Sequence, residues 1–144
     1  MDMLEGKKVV TANCQSFHVN RVLKTAKIIA YYFTASWVNH PDLLEKLKAV
    51  YEEGKRRHSG MEVIYVSADT EEKLFTKHFK EHGPWYSIPF GNTLAEVLRW
   101  RYNITCMPQI VVVRKDGLIV TRRGTRELEE LDIDVLVTWT DYIQ

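Results

Sequence analysis

The sequence predicts an α/β domain in which a mixed central β-sheet carries helices on both faces, with a small N-terminal β-element in front. Two near-continuous apolar runs, Lys27 to Thr34 and Met61 to Ala68, are each followed by a segment of helical period. A strand–helix–strand unit of this kind forces a parallel pair with a right-handed crossover. Further on, Lys115-Asp116-Gly117 joins two more β-rich runs. That is a strong short-range hairpin signal, and it adds antiparallel strands at one side of the sheet.

Each element has a local reason. Lys7 to Thr11 and Ser16 to Val19 are short candidate strands around a turn at Asn13. Lys27 to Thr34 is rich in Ile, Tyr and Phe without alternation, the pattern of a strand buried on both faces. From Pro41 to His58 the period changes: Leu43, Leu44, Leu47, Val50 and Tyr51 fall at helical spacing, with Glu45, Lys46, Lys48, Glu52 and Glu53 on the other faces. Asn39 or His40 is placed to cap this helix, Pro41 suits its first turn, and Asp42 meets the positive end of its dipole. A second helix is expected over Thr70 to His82, capped by Asp69 or Thr70 and stopped by Gly83 and Pro84. An irregular stretch, Trp85 to Asn92, leads to a third helix from Thr93 to Tyr102. Strands at Gln109 to Arg114 and Leu118 to Arg122 follow, and a last helix from Arg126 to Tyr142 carries Leu128, Leu131, Val135, Leu136 and Trp139.

Composition narrows the function. No repeat, low-complexity tract or Pro/Gly/Ser-rich linker divides the chain, so its 144 residues read as a single domain over 1–144. That length buries a core without metal or disulfide staples. A net charge of +1 argues against a dominant attraction to nucleic acid or an anionic membrane. Only two cysteines are present, Cys14 and Cys106, too few for a disulfide-rich secreted scaffold. Met1 to Val10 has no apolar core of a signal peptide, and the run Ile28 to Phe33 is too short to span a bilayer. The expectation is a cytoplasmic protein with free thiols, with export by a route that needs no signal peptide left open.

Four blocks carry a resemblance. The run from Ile29 to Trp37 resembles the strand that ends in W-C-P-P-C in nucleoredoxins and tryparedoxins. Met61 to Asp69, M-E-V-I-Y-V-S-A-D, is similar to that group's F-E-V-V-F-V-S-x-D strand. Pro84 to Phe90, P-W-Y-S-I-P-F, resembles its P-W-L-A-V-P-F segment, and Arg101 to Pro108 resembles the stretch leading into its cis-proline loop. In order and together, these identify the chain as a member of the thioredoxin-like superfamily, similar to the short nucleoredoxin-like proteins of the rod-derived cone viability factor type. The resemblance implies a thioredoxin fold and a cis bond before Pro108.

One departure dominates. Val38 stands where the group has its nucleophilic cysteine, and the second cysteine position falls on His40 or Pro41 because the spacing after Trp37 is one residue short. Trp37, Val38, Asn39, His40 and Pro41 therefore read as a vestigial motif, with no catalytic residue and no dithiol–disulfide oxidoreductase activity expected. Trp37, His40, Met107 and Pro108 become the candidate binding residues for a protein or peptide partner. The expected function is a redox-inactive protein-binding, signalling or trophic module, with no cofactor, metal, nucleic acid or membrane; the alternatives are a one-thiol enzyme or sensor using Cys106 and a residual oxidoreductase-family role, and the oligomeric state is left open.

Several side chains have two readings. His40 is a base or donor to a bound carboxylate, or simply a solvated helix-start residue. Cys106 is a candidate reactive thiol for a one-thiol enzyme or sensor, but the expectation is a small apolar residue packed at a strand end. Cys14 has no charged neighbour in sequence and reads as inert. His78 and His82, four apart on a helix with only Glu81 to help, are weak as a metal pair. The basic cluster Arg114, Lys115, Arg122, Arg123 and Arg126 reads as a solvated sheet edge. The aromatic stretch Trp85 to Phe90, if exposed, is a better partner site than those charges.

Overall fold

A computed structural model of the protein describes Leu4 and residues 6–140, the side chain of His82 excepted. Among these residues the strands are β1 (Lys8–Val10), β2 (Ser16–His18), β3 (Ile28–Thr34), β4 (Met61–Ser67), β5 (Tyr86–Ser87), β6 (Gln109–Arg114) and β7 (Ile119–Thr121). They form one mixed sheet in the order β2-β1-β5-β4-β3-β6-β7. The central strands β5, β4 and β3 run parallel to one another, while β1 joins β5, β6 joins β3, and β2 and β7 join at the edges, all antiparallel.

The helices are α1 (Val19–Val22), α2 (Pro41–Arg56), α3 (Glu72–His82), α4 (Leu94–Arg101), α5 (Gly124–Leu131) and α6 (Val135–Thr140). Every residue of β3 is buried, and alternation along it divides the core into two layers. Ile28, Ala30 and Tyr32 face a layer built with Leu43, Leu47, Phe75, Leu128 and Trp139 from α2, α3, α5 and α6. Ile29, Tyr31 and Phe33 face the other, built with Val19 of α1, Leu23, and Leu94 and Leu98 of α4. A strand buried on both faces cannot alternate polar and apolar, which is why this run looks continuous.

The helices and loops differ from expectation in three places. The segment Trp85 to Asn92 is not wholly irregular: Tyr86 and Ser87 add a short parallel strand against Ile64 and Tyr65. Nor is it an exposed aromatic patch, since Trp85 is buried edge-on against the rings of Tyr32 and Tyr51. A four-residue helix, α1, follows β2 directly, too short for periodicity to reveal. The last helix is broken, because Asp132 takes a φ of +50 at the end of α5 and a 3-10 turn, Asp132–Asp134, precedes α6. Tyr142, its expected end, lies outside the described residues.

The helix α5 lies very close to β6. A Cβ placed on Gly124 would come within 2.7 Å of the Ile110 carbonyl oxygen and Cγ2. Glycine at this position lets α5 cover the β6 face.

Candidate functional site

The site expected from sequence lies where β3 ends. Thr34 closes the strand, its carbonyl accepting from Ala68 N–H at 3.0 Å. Val38 N–H turns back to Ala35 C=O at 3.0 Å, and α2 begins at Pro41. Between them Trp37 projects into solvent at 64% exposure, Val38 is half-buried, and Asn39 and His40 are exposed. The expected side-chain cap is not made: His40 occupies the N-cap position without a capping hydrogen bond. Its Nε2 instead lies 3.9 Å from Glu129 Oε1 on α5. Pro41 and Asp42 hold the first turn and Lys55 and Arg56 the last, each where the helix dipole favours it.

Across from this loop the Met107–Pro108 peptide is cis. The antiparallel register pairs Phe33 with Gln109, and carried one pair further it sets Pro108 beside Thr34. Trp37, Val38, Met107 and Pro108 thus belong to loops at the same end of the sheet. Cys106 is exposed and not packed at the strand end as expected; its Sγ lies 3.9 Å from Gln109 Oε1. Thr105 and Cys106 precede β6 and are exposed, while Ile104 and Met107 on either side of them pack against the core. Cys14 is exposed as well.

The residue that sequence reasoning misplaced is Asp69. It does not cap α3, which starts at Glu72 with Glu71 at the N-cap. Its carboxylate instead accepts from Ser36 N–H at 3.0 and 3.2 Å, from Ser36 Oγ–H at 2.5 Å, and from Ser67 Oγ–H at 2.9 Å. Ser36 is therefore a donor held by a carboxylate, tied down in the loop just before Trp37. The signal available in sequence was the Ser67-Ala68-Asp69 spacing, which suits a side-chain turn as well as a cap.

Beneath this clamp runs a buried polar chain. Tyr65 Oη and His78 Nδ1 are 2.5 Å apart. Burial pushes the Tyr65 phenol well above the usual tyrosine range, and the nearby Asp69 charge adds to it; burial does the same to Tyr32. His78 is accordingly a buried hydrogen-bonding residue beneath the sheet's carboxyl end. Among the described residues no group of three or more His, Cys, Asp or Glu is arranged to hold a metal ion. A groove of about 190 Å³ lies beside the clamp, lined by Ser36, Leu74, Lys77, His78 and Glu81.

The basic cluster is largely engaged in local contacts. Arg114 pairs with Asp116 at 2.9 Å, Arg126 with Glu130 at 3.0 Å, Arg122 donates to Tyr102 C=O at 2.7 Å, and Lys115 to Lys24 C=O at 3.2 Å. Arg123 is exposed. No helix among the described residues is long and apolar enough to cross a membrane.

Comparison with known proteins agrees with this frame. Residues 26–119 match the family model described as thioredoxin-like. The chain is 29% identical over 102 residues to the nucleoredoxin of Danio rerio, covering 69% of this chain and 24% of that protein. It therefore spans about a quarter of the length of the curated relatives it matches. The solution structure of thioredoxin related protein 16 from Carcinoscorpius rotundicauda, described with a role in regulating the transcription factor NF-kB, superposes with a TM-score of 0.81. It is 30% identical, and 97% of this chain and 99% of that one are covered. Tryparedoxin I from Leishmania major superposes with a TM-score of 0.77 at 27% identity, covering 90% of this chain and 89% of that one.

Proposed function

The chain belongs to the thioredoxin-like family, within its nucleoredoxin and tryparedoxin group, and on that premise we propose that it is a redox-inactive protein-binding module with a signalling or trophic role. The observation that carries this reading is Val38, which follows Trp37 at the β3-to-α2 junction. In a dithiol oxidoreductase, free N–H groups at a helix N-terminus help lower the pKa of a first cysteine, and a second cysteine resolves the mixed disulfide. Val38 has no ionisable atom, so the first step has nothing to act through at this junction.

Binding draws support from the same residues. The indole of Trp37 is largely exposed while its loop is held by the Ser36–Asp69 clamp. A rigidly mounted tryptophan offers a large contact area at little entropic cost. The partner on this reading is an extended protein segment that sets an apolar side chain against Trp37 and Met107 and a carboxylate or carbonyl toward His40. A signalling role draws support from the Carcinoscorpius relative. A peptide array tests the binding: peptides captured by the wild type are released by Trp37→Ala and Met107→Ala, and capture indifferent to both changes counts against it.

Exposure of Cys106 favours a second reading, one-thiol redox chemistry or sensing at that residue. It requires a thiolate at neutral pH. An alkylation rate at Cys106 that stays low until about pH 8.5, the unperturbed thiol value, ends this reading.

A further inference from the structure

The outer face of α4 carries the most exposed large apolar side chain among the described residues. Trp100 is 83% exposed, and Val97, one turn before it, 43%. The inner face is committed to the core through Leu94 and Leu98, and Arg99 is tied back to the Ser67 carbonyl at 3.0 Å. Glu96 and Arg101 are both exposed, and neither has an ion-pair partner among the described residues. Arg101 merely lies over the Tyr102 ring.

At about 100° per residue, Val97 and Trp100 share one stripe, with Glu96 on one flank and Arg101 on the other. This is the g, a, d, e spacing of a single heptad. In two such helices lying parallel about a two-fold axis, a faces a and d faces d, and each g meets the e that lies further along the other helix. We propose that a second copy of this chain docks on this face, α4 beside α4 in parallel. Val97 and Trp100 form the contact, and Glu96 of each copy meets Arg101 of the other. The pairing is isologous, so it closes as a dimer and does not propagate into a fibre. An antiparallel pairing would set flanks of like charge together. One heptad buries far less than the ~1,200 Å² of a standard stable interface, so the association is reversible and depends on concentration.

Sedimentation equilibrium on the whole chain tests this, with far-UV circular dichroism as a check on folding. Wild type shows a monomer–dimer equilibrium, and Trp100→Ala weakens it at least about tenfold, as loss of an interface tryptophan does. Glu96→Arg and Arg101→Glu each weaken it, because each sets like charges across the axis. The double variant E96R/R101E restores it to near the wild-type constant. A wild type that stays monomeric throughout the series overturns the proposal. So does a dimer unmoved by Trp100→Ala, or a double variant no better than either single one.

Discussion

The Asp69 carboxylate holds Ser36 at both its backbone N–H and its hydroxyl, and so joins the loop after β3 to the loop after β4. The two strands are parallel neighbours whose register runs from Ile28–Met61 to Thr34–Ser67, so both loops leave the sheet side by side. The clamp sets where Trp37 emerges, and it contains no group that needs redox chemistry to form.

Removing the carboxylate frees that loop. Asp69→Ala leaves Ser36 N–H, Ser36 Oγ and Ser67 Oγ without their acceptor, in a part-buried position. The expected loss is about 1–3 kcal/mol, read from urea unfolding, with faster hydrogen exchange at the Ser36 amide. Wild-type stability together with an equally protected Ser36 amide contradicts the clamp.

Alkaline pH acts through three tyrosines. Burial, first of all, raises the phenols of Tyr32, Tyr51 and Tyr65 above their ordinary value; the Glu62 charge adds to it at Tyr51 and the Asp69 charge at Tyr65. In the unfolded chain each titrates near pH 10. The folded chain keeps protons that the unfolded chain releases, so the stability is fully present below about pH 10 and is lost as pH rises toward the folded values. Phenolate absorbance against pH shows fewer tyrosines ionising in the folded protein than in urea, and urea midpoints fall above pH 10. Titration of every tyrosine near pH 10 in the folded protein contradicts this.

Both thiols are open to solvent. Native protein treated with a chromogenic disulfide reagent therefore releases two equivalents without denaturant, one from Cys14 and one from Cys106. A second equivalent that appears only on unfolding contradicts the exposure of one of the two thiols.

The contact of α5 with β6 is sensitive to a single methyl group. Gly124→Ala drives a Cβ into the Ile110 carbonyl, and backbone cannot give way as a flexible side chain does. Overpacking of this kind costs about 1–3 kcal/mol, visible as a lowered melting temperature. An unchanged melt shows that α5 can shift without penalty.

The frame was legible because burial writes itself into composition. The runs Ile28–Thr34 and Met61–Ser67 are apolar since the sheet is covered on both faces, and Pro41 marks the α2 start by its fixed φ. Helix termini were less legible. An aspartate after a strand suits a cap and a cross-loop clamp equally, and only the spatial position of Ser36 decides for the clamp. Trp85 and Trp100 look alike in sequence, yet one is buried among tyrosines and the other is on the outer face of α4. The break at Asp132 depends on a single left-handed residue, which periodicity does not register.

On the proposed function, Trp37-Val38-Asn39-His40-Pro41 is a contact surface without a nucleophile. Insulin reduction with dithiothreitol, using the whole chain at catalytic concentration, tests it most directly. A chain without a nucleophile leaves insulin precipitating on the time course of dithiothreitol alone. Acceleration comparable to that of a dithiol thioredoxin would contradict it.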